Sequence, residues 1–329
     1  MTRHLPTLSP HPVAPAVGAP VLPPELAGAV IDLQLASVAA ATRRAYQSDW
    51  RRWSSWCAQR DLSPLPAHPE TVAAYLADHA GQLSVATLRR HLATVSKAHS
   101  VAGLANPCST ATVQDTMRGI QRTWGTAQNE APGLLPDDMR QVLEQLPAGV
   151  AGDRDRALLL VGWCGALRRS ELAQLRWGDV AQVPGGLHLT LRQSKTDQLG
   201  AGRLVPLARE LPGRPCPVHA LLWWQQTLAR TAAADVAPVF PRLDRWGHVR
   251  GPMSGAAVAA VIQRRCQDAG LVTRYRGHSL RKGAVQATYA AGVADSRVMA
   301  TTGHRSVAML RRYQGQVGLV ERCATKGLL

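Results

Sequence analysis

The chain of 329 residues is long enough for two domains of ordinary size, each with its own core. Lys and Arg number 38 against 22 Asp and Glu, a formal charge of +16 with a pI near 10.7, and such a field draws in a polyanion, of which DNA is the commonest large one. The longest apolar run, 157–167, is too short to cross a bilayer, and prolines interrupt the apolar opening segment, so neither a membrane span nor a secretory leader is expected.

Residues 1–24 are rich in Pro, Ala and Val without periodicity and read as a disordered tail. Residues 25–124 read as a small all-helical domain. Thr42 is placed to cap a helix running to Trp56, with Tyr46, Trp50 and Trp53 recurring at helical spacing. Pro69 begins a second helix, Ser84 caps a third over 85–101, and a fourth spans 112–124. The polar stretch 125–133 (GTAQNEAPG) is a linker. Residues 134–329 then form a second domain, mostly helical with a small antiparallel β-sheet. One helix starts at Asp137 and a strongly apolar one spans 154–176. Over 186–207 the period changes to alternation on either side of a polar turn at 194–202, which is a β-hairpin with a long tip. Helices return at 218–233, 254–268, 279–291, 295–301 and 306–313.

The six cysteines form no Cys-x-x-Cys pair, and the ligand-like spacing of Cys216 and His219 has no second pair to complete it. No metal or cofactor is therefore expected, and the setting reads as reduced and cytoplasmic. The sequence also lacks G-x-x-x-x-G-K-[ST], H-E-x-x-H and G-x-S-x-G, which removes the main supports for an NTPase, a zinc protease or an α/β-hydrolase.

Four motifs in the second domain carry chemistry. In GALRRSEL (165–172), Arg168 and Glu171 stand at i and i+3 and would share one helix face. In QSKTD, Lys195 is one of only four lysines, the others being Lys97, Lys282 and Lys326. Lysine can give up a proton to a leaving group, whereas arginine stays protonated. In GHSLRKG (277–283), His278 and Arg281 lie at a helix start, where an anion is favoured. In GHRSVAMLRRY (303–313), His304 follows a glycine and Tyr313 comes nine residues later. Each alone also fits a structural role: an ion pair, a solvated turn, a cap, a core tyrosine. Together they supply cationic clamps, a proton donor and an oxygen nucleophile, a set suited to in-line phosphoryl transfer without a metal.

In this order and spacing the motifs resemble the catalytic domain of the tyrosine site-specific recombinases, the phage integrase family, in a Cre-like two-domain form. The segments ATRRAYQSDWRRWSSWC, LPAHPETVAAYL and SVATLRRHLATVSKAH are similar to the family's core-binding domain. The resemblance implies a C-shaped clamp round double-stranded DNA at an inverted-repeat site, with four protomers in the synapse linked by the tail after Tyr313. It implies Tyr313 as nucleophile, Arg168, Arg281 and His304 on the phosphate, and Lys195 protonating the departing oxygen. His278 would assist at the phenol, and Glu171 would support the site. Helix faces bearing Arg43, Arg44, Thr87, Arg89 and Arg90, and a later one with Gln263, Arg264 and Arg265, are the expected DNA contacts. A type IB topoisomerase or telomere resolvase, and a catalytically dead DNA-binding architectural protein, are the alternative readings.

Overall fold

The computed structural model describes residues 40–126, 131–192, 202–229, 238–304 and 306–314. The chain divides into two compact units, Met1–Asn129 and Glu130–Leu329. The expected tail at 1–24 and the tip of the hairpin lie outside the described residues.

Among its described residues the first unit holds four α-helices: α1 (Ala40–Ala58), α2 (Pro69–His79), α3 (Val85–Val101) and α4 (Ala111–Trp124). The tryptophan spacing on α1 buries Trp50, Trp53 and Trp56, which pack with Tyr75 and Leu76 of α2, Leu88 of α3 and Val113 of α4. The Trp53 and Tyr75 rings meet edge-on at 5.1 Å, an arrangement that adds to area burial. Ser84 caps α3, its side chain accepting from the Thr87 N–H at 3.2 Å. Thr42 is not a cap, because the helix has already begun at Ala40. A buried polar chain fixes α1 against α2 and α3. The Tyr75 hydroxyl meets His91 Nδ1 at 2.8 Å, and His91 Nε2 lies 3.2 Å from Asp49.

The second unit is built round α6 (Val150–Cys164), whose residues 157–161 are all buried. Before it comes α5 (Pro136–Glu144) and after it α7 (Arg169–Gln174). The single helix expected over 154–176 is thus two helices. Gly165 ends the first, and Ala166 takes a left-handed φ of +46°, a strain of about 1–2 kcal/mol for a residue with a Cβ. The apolar run 157–167 extends past the end of the first helix and Leu172 beyond the break is buried as well, so the periodicity carried no trace of it.

A three-stranded antiparallel sheet follows in the order β1 (Val180–Val183), β2 (Gly186–Leu191), β3 (Arg203–Ala208). The β2–β3 pairing is the expected hairpin, and β1 is a strand the alternation did not reveal. The rest is α8 (Pro217–Ala229), a short hairpin of β4 (Pro241–Leu243) and β5 (Val249–Pro252), α9 (Gly255–Asp268), α10 (Ser279–Ala290), α11 (Asp295–Thr302) and α12 (Val307–Gln314). Among the described residues no helix is long and apolar enough to cross a membrane.

Candidate active site

The break between α6 and α7 turns Arg168 into the residue that caps α7, with extended φ and ψ of −76° and 151°. Arg168 and Glu171 therefore do not share a helix face as the i, i+3 spacing suggested. Glu171 instead folds back from the first turn of α7. Its carboxylate accepts from the Arg168 backbone N–H at 2.8 Å and from the Arg168 guanidinium at 2.6 Å. Both side chains are buried, so the carboxylate fixes the main chain and the charged end of Arg168 together.

Arg281, in the first turn of α10, is completely buried. One terminal nitrogen donates to the strained Ala166 carbonyl at 2.7 Å, which ties α10 to the α6–α7 break. The other donates to the Thr302 carbonyl at 2.8 Å and lies 3.1 Å from His304 Nε2. A guanidinium only donates, so His304 Nε2 must accept. Its Nδ1 then carries the proton and donates to Thr302 Oγ1 at 2.7 Å, whose own hydroxyl is spent on the Val298 carbonyl at 2.7 Å. This chain fixes His304 as the neutral Nδ1–H tautomer. Burial, with Arg281, Arg168 and Arg203 adding repulsion, pushes its pKa down to about 4.

Tyr313 lies near the end of α12, held by the fully buried Leu310, which packs with Val285 and Val298. Its ring is partly buried, 5.0 Å from the His304 ring and 6.0 Å from the Arg281 guanidinium carbon. His278 is exposed just before the first turn of α10, three residues from Arg281. Lys195 lies outside the described residues.

Arg203, at the start of β3, is a further member that the motifs did not include. One of its terminal nitrogens donates to the Thr301 carbonyl, and the other lies 3.6 Å from Glu171. The signal for it was present in RLVPLA, where residue 203 alternates in phase with the buried Val205 and Leu207. An arginine on the inward face of a strand needs a partner. Three guanidinium groups thus surround one carboxylate. Burial and the nearby Arg168 charge draw Arg281 down to about 10, still protonated at neutral pH and poorly compensated, a condition that an anion relieves.

One of the expected DNA-contact residues is corrected. Arg265 is buried, bonded to Asp155 at 2.7 Å and Asp268 at 2.8 Å, in a core network that includes Arg154. Arg90 is exposed and places its guanidinium on the buried Asp49 with bonds of 2.6 and 2.8 Å. Arg89 donates to Gln121 at 2.9 Å on the surface. Arg44, Gln263 and Arg264 are exposed, while Arg43 and Thr87 are half-buried.

Residues 133–316 match the phage integrase family. The integrase/recombinase xerD homolog of Selenomonas ruminantium is 31% identical over 284 residues, 84% of this chain and 82% of that protein. Recombinase cre of Escherichia phage P1 is 29% identical over 143 residues, 41% of each chain. Among solved structures, a lambda integrase tetramer bound to a Holliday junction has the same fold, with a TM-score of 0.59 at 18% identity over 85% of this chain and 73% of that one. With its four motifs inside the matched residues, the chain belongs to the phage integrase family of tyrosine recombinases.

Proposed function

We infer that this recombinase cleaves and rejoins double-stranded DNA at a specific inverted-repeat site through a covalent bond to Tyr313. The observation that carries the reading is the excess of buried and half-buried positive charge around His304, whose ring lies beside that phenol: Arg168, Arg203 and Arg281, with Glu171 the one carboxylate paired with them among the described residues. A phosphodiester under in-line attack gathers negative charge on its non-bridging oxygens, and preorganised donors in a water-poor site stabilise such charge strongly.

In this mechanism the Tyr313 oxygen attacks phosphorus, the bond to the 5′-oxygen breaks, and a 3′-phosphotyrosine and a free 5′-hydroxyl result. The bond energy stays in the adduct, and attack by another strand's 5′-hydroxyl reverses the step, so neither ATP nor a metal enters. Arg168 and Arg281 bind the non-bridging oxygens. Lys195 protonates the departing oxygen, and His278 assists at the phenol. His304 also acts on its neighbours. Its Nε2 accepts from Arg281, so it orients that guanidinium and packs against the attacking ring. The exposed arginines of α1 and α3, with Gln263 and Arg264 of α9, contact the duplex. Four protomers assemble on paired sites, and the cytoplasm, where the DNA lies, is the site of action.

The test uses nicked duplexes carrying inverted repeats from around the gene, mixed with the protein in a chelator. A band resistant to denaturant, linked on the 3′ side, is the expected product. Relaxation of supercoiled DNA by a monomer without any sequence requirement would point instead to a type IB topoisomerase. Tight binding with no adduct on any selected site would point to an architectural protein.

A further inference from the structure

The turn that carries His304 is held by two arginines from different elements. α11 ends at Thr302, and the last carbonyls of a helix lack partners within it. Arg281 of α10 donates to the Thr302 carbonyl at 2.8 Å. Arg203 of β3 donates to the carbonyl just before it, that of Thr301. The second terminal nitrogen of Arg203 faces Glu171 at 3.6 Å, an ion pair too long for a hydrogen bond. That nitrogen is buried and has no hydrogen-bond partner among the described residues. The Arg203 stem runs directly under the turn, where a Cβ on Gly303 would stand 2.8 Å from its Nε.

Glu171 is thus shared. Arg168 takes its close contacts, and Arg203 takes the remaining field of the same carboxylate. Burial draws the Arg203 pKa down although Glu171 opposes the shift, which marks a charge held in place by its surroundings. The side chain is 19% exposed, and its ends reach two parts of the site: the Arg168–Glu171 pair and the end of α11.

Resting on the recombinase reading above, we propose that Arg203 is a positioning residue for strand cleavage, clamping the end of α11 to Glu171. Through that clamp it sets Arg168 on one side and His304, followed by α12 and Tyr313, on the other. The groups facing His304 are then Arg281 from α10, Arg168 before α7, Arg203 from β3, Thr302 from α11 and Tyr313 from α12. Arg203 does not bind the phosphate in this scheme. It acts through the residues that do.

The test compares the wild type with Arg203→Met, which keeps the stem, and Arg203→Lys, which keeps the charge but reaches only one partner. Single-turnover cleavage of a nicked duplex at saturation is expected to fall by about 10²-fold in Arg203→Met, the scale of a misplaced reacting group. Arg203→Lys recovers part of that loss. DNA affinity and its salt slope stay as in the wild type, whereas loss of a phosphate contact would lower the slope by about 1. In protein labelled with ¹⁵N-histidine and free of DNA, the His304 ring, assigned with His304→Asn, shows the Nδ1–H tautomer in the wild type and an altered signal in Arg203→Met. Wild-type cleavage by Arg203→Met, or a change in affinity as large as the change in rate, overturns the proposal. Should the wild type form no covalent adduct at all, the recombinase reading fails. The ring signal then decides the clamp by itself, an unchanged signal overturning it and an altered one supporting it.

Discussion

Single residues in this site are set by their partners more than by their own type. Glu171 is the clearest case, since its carboxylate fixes both the backbone and the guanidinium of Arg168. Glu171→Gln keeps the shape but removes the charge, and we expect cleavage to fall about 10–100-fold, the cost of losing an orienting partner, with DNA affinity retained in a filter-binding assay. His304 gives a pH prediction. Its folded pKa of about 4 lies below the usual 6.5, so between those values the unfolded chain binds the proton and the folded one resists it. The contribution is intact above about pH 6.5 and is lost as pH falls toward 4. Denaturant unfolding across that range should show a steeper slope in the wild type than in His304→Asn, while His91, also drawn down by burial, keeps its own share in both. A bound phosphate opposes the arginine field and should raise this pKa.

At the scale of elements, what was legible in the sequence was the set of polar residues, and what was not was how the backbone presents them. The motifs named Arg168, Arg281, His304 and Tyr313 because their types and spacing are unusual for a buried face. The α6–α7 break escaped notice because Ala166, a residue with no preference for positive φ, makes it within an unbroken apolar run. Arg203 is hard to read because alternation in RLVPLA marks a strand without revealing what its inward arginine meets. The arginines of α3 and α9 looked alike in sequence, yet Arg265 faces the core and Arg264 faces out, since helical phase depends on which neighbour each helix packs against. Gly303 links element geometry to the site, with φ +69° and Arg203 directly beneath it. Gly303→Ala combines a left-handed strain of about 1–2 kcal/mol with a collision against Arg203. Both a lower melting temperature and slower cleavage are expected. Loss of stability alone would show that the turn and the chemistry are independent.

Across the whole molecule, charge has two separate uses. The net +16 serves attraction to DNA, whereas buried arginines hold the fold or the site. Arg265 belongs to the fold through Asp155 and Asp268. Arg265→Met leaves buried carboxylate charge less compensated and should cost up to about 3–5 kcal/mol of stability, with the salt dependence of DNA binding unchanged. Arg264→Ala should do the reverse, lowering the salt slope by about 1 with stability retained. The central claim is that one phenol carries the DNA strand. Digestion of the trapped protein–DNA adduct followed by mass spectrometry tests it directly. A nucleotide joined through its 3′-phosphate to Tyr313 is expected in the wild type, and no adduct from Tyr313→Phe under conditions where that variant still binds DNA. A nucleotide attached to any other residue, or an adduct that persists in Tyr313→Phe, would contradict it.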